Sequence, residues 1–177
     1  MKKGHLKGFT ALELIITMAI AAILLTTGVP AFKNYSWNLR MKTAMDVLQT
    51  DLNLARGRAI SDNIQTIICP ATDGNDCSGQ SAWQEGWIVF SDLNGDRRKQ
   101  QGEPLLKHTG SLDLLNISSS RSRRSLRFYP NGSAPGSNAS IVFCDPRGAT
   151  EAGKISISNS GRIRMQREGI EPTENCP

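Results

Sequence analysis

Between Leu14 and Phe32 the chain carries no charged residue for nineteen positions, and that run limits the fold more than any other feature. As a helix rising ~1.5 Å per residue it would be about 28 Å long, enough to cross the hydrocarbon core of a bilayer. Lys2, Lys3 and Lys7 precede it, a bias that holds the N-terminus on the cytoplasmic side. A cleaved secretory signal would want a small-x-small site after the run, and Thr26-Thr27-Gly28 serves that pattern weakly. Two features point to a retained helix instead. Glu13 stands at the start of the run, and a helical pattern continues past its end.

In that continuation Trp37, Met41, Ala44, Leu48, Leu52, Ala55 and Ala59 recur at steps of three and four, which is one face of an amphipathic helix. Lys42, Asp46, Asp51 and Arg56 fall off that face. The pattern predicts one helix from near Phe9 to about Ser61. Pro30 lies inside it and should kink or loosen it, because proline removes a hydrogen bond and crowds the preceding turn. The first half would be embedded in membrane and the second would pack on a globular domain.

After Asn63 the period changes. Gln65–Cys69, Gly86–Ser91, Leu112–Ile117, Ser125–Tyr129, Ser140–Cys144, Lys154–Ser158 and Arg162–Gln166 read as short strands, punctuated by Gly, Pro, Asn and Ser. Asn131-Gly132 and Ser158-Asn159-Ser160-Gly161 read as turns, the second joining two strands into a hairpin. One long helix followed by short strands makes an α+β chain.

Lys7-Gly8-Phe9-Thr10-Ala11-Leu12-Glu13-Leu14 resembles the type IV prepilin motif. The head carries a second likeness. Gly86-Trp87-Ile88-Val89-Phe90, Asp92-Leu93-Asn94-Gly95-Asp96 and Gly102-Glu103-Pro104-Leu105-Leu106 are similar to the central pattern of the GspH/FimT minor pilins and pseudopilins. The resemblance implies that a prepilin peptidase cleaves after Gly8 and methylates Phe9. It implies that Glu13, fifth counting from Phe9, pairs with the amino terminus of a neighbouring pilin and sets the register of assembly; a carboxylate at the edge of hydrocarbon is costly without such a partner. The expected organisation is a leader over 1–8, a transmembrane and assembly helix over 9–33, an amphipathic helix over 34–63 and a β-rich head over 64–177. The fold expected is type IV pilin-like, a long N-terminal helix packed on an antiparallel β head. The precursor would sit in the inner membrane with its head in the periplasm, then move into a cell-surface pilus.

Four cysteines, Cys69, Cys77, Cys144 and Cys176, suit disulfides in a small domain beyond a membrane segment. Cys69 and Cys77 bracket a polar loop and are natural partners, which would leave Cys144 with Cys176 and tie the tail to the body. The other two pairings remain open. A zinc site is disfavoured, since there is no Cys-x2-Cys pair and the only histidines are His5 and His108. Asp92-x-Asn94-x-Asp96 has calcium-loop spacing with Glu103 at the twelfth position. Arg97 takes the place of the usual glycine, however, and Arg98 follows it. A polar hairpin loop is the better reading, and no metal or other cofactor is expected. No nucleophile, acid or base falls into a catalytic pattern, so enzymatic activity is not expected.

Charge is distributed unevenly. Residues 9–96 hold five Lys/Arg against nine Asp/Glu, whereas residues 97–167 hold thirteen against four. Polyanion binding, if present, belongs to that second block. Arg121, Arg123, Arg124 and Arg127 cluster around a serine-rich turn, and Lys154, Arg162, Arg164 and Arg167 surround the last hairpin. On an Arg162–Gln166 strand, Arg162, Arg164 and Gln166 share a face, with neighbouring guanidiniums roughly 6.6 Å apart. That suits successive phosphates, because each guanidinium can fork two oxygens. Gly161 would let the turn backbone approach a ligand. Gly161-Arg162-Ile163-Arg164 is similar to the Gly-Arg-x-Arg motif of DNA-binding FimT pilins, which implies Arg162 and Arg164 as phosphate contacts to double-stranded DNA, with Lys154 beside them. The acidic tail with Glu168, Glu171 and Glu174 would weaken binding unless Cys176 holds it away. The rival expectation is a structural tip-priming pilin, or a pseudopilin of type II secretion, that binds no DNA.

Overall fold

The helical pattern runs unbroken: α1 spans Ala11–Asp62, with Pro30 inside it. The computed structural model describes residues 10–148, 151–167 and 176, so Gly8 and Phe9 lie outside the described residues. Thr10 caps α1. Its hydroxyl accepts the Glu13 N–H at 3.2 Å, and Glu13 Oε2 accepts the Thr10 N–H at 3.1 Å. This reciprocal capping box satisfies two donors that a helix start otherwise leaves unpaired. The pattern Thr10-x-x-Glu13 was there to be read in the sequence, and it gives Glu13 a local role the resemblance does not mention.

The residues group into two compact units, Met1–Leu39 and Arg40–Pro177. In the first, the apolar side chains of α1 are exposed throughout, from Leu12 at 68% to Phe32 at 71%. Within the described residues α1 is the one helix long and apolar enough to cross a membrane.

In the second unit, Met41, Ala44, Leu48, Leu52, Ala55 and Ala59 of α1 are buried, as the three-and-four spacing predicts. Met45, outside the expected stripe, is buried too, whereas Trp37, expected at its start, is half-buried. Asp51 does not follow the prediction. Expected off the buried face, it is 3% exposed. Its carboxylate accepts two hydrogen bonds from the head, and those bonds compensate for burying it.

Among the described residues, eight strands form two antiparallel sheets. In the first sheet the order is β3 (Leu105–Thr109), β2 (Trp87–Asp92), β1 (Gln65–Pro70) and β5 (Leu126–Phe128). In the second it is β4 (Asn116–Ser119), β6 (Ala139–Cys144), β7 (Gly153–Ile157) and β8 (Ile163–Gln166). β1 and β2 are buried almost throughout because both faces of the first sheet are covered. Trp87 lies on the face bonded to α1. On the other face Ile67, Cys69, Ile88 and Phe90 pack with Ala71, and Cys77 packs against them. The Cys69–Cys77 disulfide thus fastens the polar loop over that cluster. The second sheet turns Ile141, Phe143, Ile155 and Ile157 inward. A side chain at Gly153 of β7 would run into Met45 of α1, so the same helix packs on the inner faces of both sheets.

Two strand expectations need correction. β3 was not predicted; it is a mostly exposed edge strand carrying Lys107 and His108, and it lacks apolar alternation. The strand expected over Leu112–Ile117 begins only at Asn116, because Leu114 adopts φ 73° and breaks the extended backbone.

Candidate nucleic-acid interface

β7 and β8 pair as the expected hairpin, with Ser156 opposite Arg164 and Lys154 opposite Gln166. Directly opposed residues share a face, so Lys154, Ser156, Arg164 and Gln166 point outward, while Ile155, Ile157, Ile163 and Met165 point inward. Burial agrees: Arg164 and Gln166 are exposed, and Ile163 and Met165 are half-buried. The strand starts one residue later than expected, which places Arg162 in the turn, exposed and just ahead of β8.

Serines close that turn. The Ser158 N–H donates to the Arg162 carbonyl at 3.0 Å, Gly161 N–H donates to the Ser158 carbonyl at 2.8 Å, and the Ser158 hydroxyl accepts the Arg162 N–H at 3.2 Å. The turn is also fastened to its neighbour, since Ala134 N–H donates to the Asn159 carbonyl at 2.8 Å. Gly161 is buried with φ 76°, and a Cβ on it would overlap the Gly132 carbonyl oxygen. The close approach expected of Gly161 is therefore made to Gly132, not to open solvent. Arg56 of α1 joins the same junction, donating from Nε to the Gly132 carbonyl at 2.9 Å.

Of the cations around the hairpin, Arg162, Arg164 and Lys154 have no acidic partner within ion-pair distance among the described residues. Arg167 is exposed at the end of β8. A depression of ≈ 390 Å³ runs between Ser156, Ser158, Ser160, Arg162 and Arg164. It adjoins a second, of ≈ 430 Å³, that shares Ser156 and Ile157 and continues over Ser140 to Ser120 and Asn138. The outer face of the second sheet is thus a shallow, serine-lined trough with arginines at the β8 edge. Ser140 and Ser156 fall in the strands expected over Ser140–Cys144 and Lys154–Ser158, but nothing in the sequence paired those two strands.

The serine-rich cluster does not act as one patch. Arg123 is half-buried and donates through Nε and Nη2 to the carbonyl and side chain of Asn138, at 2.8 and 2.9 Å. Arg127 lies 4.5 Å over the Tyr129 ring and donates to Gln65 Oε1. Arg121 and Arg124 are exposed.

The loop with calcium-like spacing is held together from within. Asp92 accepts the N–H groups of Gly95 and Arg97 at 2.8 and 3.1 Å; Glu103 accepts those of Leu93 and Gln100, both at 2.9 Å. Both acids are buried and engaged as backbone acceptors. Elsewhere Arg147 is paired with buried Asp145, whose hydrogen bond raises the guanidinium pKa above its ordinary value.

Cys144 and Cys176 form the second disulfide. It lies on the outer face of the second sheet, where Cys176 packs with Val142, Cys144 and Ala152. Glu168, Glu171 and Glu174 lie outside the described residues.

Residues 44–161 match the family described as type II transport protein GspH; the match ends one residue before Arg162. The chain is 26% identical over 166 residues to the pilin-like protein PilA1 of Thermus thermophilus, covering 90% of this chain and 98% of that protein. In fold it is similar to the type IV minor pilin FimU of Pseudomonas aeruginosa, with a TM-score of 0.57, 21% identity and coverage of 81% and 96% of the two chains. It is also similar to the minor pseudopilin EpsH of the Vibrio cholerae type 2 secretion system, with a TM-score of 0.52, 12% identity and coverage of 74% and 99%.

Proposed function

This chain belongs to the GspH family of minor pilins and pseudopilins, and from that premise we propose that it is a minor type IV pilin that binds extracellular double-stranded DNA for uptake in natural transformation. Family membership supports a subunit that associates with other pilins, and this reading gives assembly to the apolar N-terminal helix. The DNA reading goes further and rests on one observation. Arg162 and Arg164 stand exposed at a hairpin tip and edge strand, with no acidic partner among the described residues, beside a serine-lined trough.

Two guanidiniums there can fork phosphate oxygens, while Lys154 adds a point charge across the strand pair. Arg167 and the exposed Arg121 and Arg124 extend the positive field, and Gly161 holds the turn that presents Arg162. Serine hydroxyls in the trough can donate to phosphate and sugar oxygens. Among the described residues no aromatic side chain lines the trough, so binding is backbone-led, indifferent to sequence and steeply weakened by salt.

The rest of the life cycle follows the same reading. Prepilin peptidase removes residues 1–8 after Gly8 and methylates Phe9, and the inner membrane holds residues 9–33 until assembly. Residues 34–63 complete the helix, and the head over 64–177 folds in the periplasm, where disulfides persist. In the filament, Glu13 meets the amino terminus of an adjacent subunit.

The test is duplex binding by the detergent-solubilised full chain across a salt titration. Arg162→Gln with Arg164→Gln is expected to weaken binding and to flatten the salt dependence by about two counterions. Unchanged affinity would remove the assigned site. A second reading, a structural tip-priming pilin or type II secretion pseudopilin without a ligand, is favoured by the family match stopping at Gly161. It prevails if the unaltered chain shows no salt-sensitive DNA binding at low ionic strength.

A further inference from the structure

We propose that Arg97, Arg98 and Arg124 form a second phosphate-binding site, one that holds a phosphodiester of the same duplex the hairpin engages; the proposal rests on the DNA-binding reading above. Three loops bring these residues together around a depression of ≈ 380 Å³, with Ser78, Ser125 and Asp76 also in its wall.

Around the loop after β2, Asp92 and Glu103 face in and Arg97 and Arg98 face out, while the third acid, Asp96, is exposed and engaged by the Arg98 N–H and the Gln100 side chain. Asp92 and Glu103 are buried on backbone N–H groups. The backbone of the two arginines is fixed by the same network: Arg97 N–H donates to Asp92 and Arg98 N–H to Asp96 at 2.8 Å, with Arg97 held at φ 66°. Both side chains are exposed. Arg124 is exposed and lines the depression, and it is steadied through its Nε, which donates to the Arg121 carbonyl at 3.1 Å; a guanidinium can fork an oxyanion with its terminal nitrogens. The Cys69–Cys77 disulfide fixes the opposite wall.

Among the described residues, Asp76 is the one acid lining the depression. One of its oxygens accepts the Cys77 N–H at 2.7 Å, and no ion pair joins it to the arginines among the described residues. Three guanidiniums against one carboxylate leave an excess of positive charge, and the hydroxyls of Ser78 and Ser125 add neutral donors. A tetrahedral phosphate, with several oxygens to share, uses such a set more fully than a planar carboxylate does.

Continuity links this site to the hairpin. The trough that starts at Arg162 and Arg164 reaches Ser120, and the loop from Ser120 leads directly to Arg124 and Ser125. β8 and β4 are opposite edges of their sheet, about 14 Å apart by three inter-strand spacings of ~4.8 Å. Arg124 follows β4 in the chain, at the edge away from Arg164, so the proposal assigns the two arginine groups to separate phosphates along one duplex rather than to neighbours on one strand.

The experiment is a salt titration of duplex binding, with a duplex of about 30 base pairs and the detergent-solubilised full chain. Arg97→Gln with Arg98→Gln is expected to lower affinity about tenfold at moderate salt and to flatten the salt dependence by about two counterions, with an unchanged melting temperature. Arg97→Lys with Arg98→Lys is expected to restore the salt dependence, because charge is retained, while recovering only part of the affinity. If the glutamine pair binds like the unaltered chain while Arg162→Gln with Arg164→Gln loses binding, the second site is wrong and the hairpin reading stands. If only the loop pair matters, the site holds and the hairpin assignment falls. If neither pair changes binding, or the chain binds no duplex, both are overturned.

Discussion

Asp51 on α1 accepts the indole N–H of Trp87 on β2 at 2.8 Å, and the same oxygen accepts the Thr109 hydroxyl of β3 at 2.7 Å. One buried carboxylate therefore joins the helix to two neighbouring strands. Asp51→Ala leaves both donors without an acceptor in a closed environment. It is expected to cost about 3 kcal/mol in urea unfolding, at the upper end for hydrogen bonds to a charged group. Asp51→Asn keeps one acceptor oxygen and should cost about 1 kcal/mol. Equal losses for the two would mean that the carboxylate oxygen is not what binds the helix to the sheet.

Gly161 separates folding from ligand binding at the hairpin. Its φ of 76° and the overlap of any Cβ with the Gly132 oxygen leave no relaxed place for a side chain. Gly161→Ala is expected to lose roughly 2–4 kcal/mol of stability. Arg162→Gln with Arg164→Gln, on exposed side chains, should stay within about 0.5 kcal/mol of the unaltered chain. Melting curves of the two variants decide this. Weakened DNA binding in Gly161→Ala would then reflect a displaced turn, not a lost contact.

Much of this was legible before any coordinates. The apolar run, the stripe from Met41 to Ala59 and every expected strand except Leu112–Ile117, which starts only at Asn116, reappear, because burial imposes a period that composition cannot hide. The hairpin was readable from Ser158–Gly161 and the flanking alternation. What escaped depends on partners distant in sequence. Asp51 reads as a surface acid until Trp87 and Thr109 are placed beside it. β3 escaped because an exposed edge strand keeps polar residues on both faces. Gly161 was read as making room for a ligand, since Gly132 is twenty-nine positions away in the chain. The basic block looked like one surface, but Arg123 and Arg127 are occupied by Asn138, Gln65 and Tyr129.

The loop from Asp92 to Glu103 should respond to loss of its acids and ignore calcium. Asp92→Ala removes the acceptor for two backbone N–H groups, those of Gly95 and Arg97, and is expected to cost about 2 kcal/mol. Added calcium should leave the melting temperature where it was, because a ligand that binds only the folded state would raise it. A calcium-dependent rise that disappears in Asp92→Ala would show that the carboxylates can turn from the amides to a cation.

The Cys144–Cys176 bond closes a loop with a sequence separation of 32 and fastens the chain end to the outer face of the sheet that carries Arg164. Chain-entropy reasoning gives a loop of that size roughly 3–4 kcal/mol of stabilisation, by restricting the unfolded chain. Cys144→Ala with Cys176→Ala is therefore expected to lower unfolding stability by about that amount, measured in urea without reductant. Reductant should bring the unaltered chain towards the variant, and further below it where Cys69–Cys77 also opens. The hairpin itself is held by the β6–β7 and β7–β8 pairings and by the Ser158 turn, none of which includes a cysteine in β7 or β8. Below its lowered melting temperature the variant should keep its duplex affinity. If affinity instead rises once the bond is gone, the acidic tail was being held against the arginines, and Cys176 keeps it close to them rather than away.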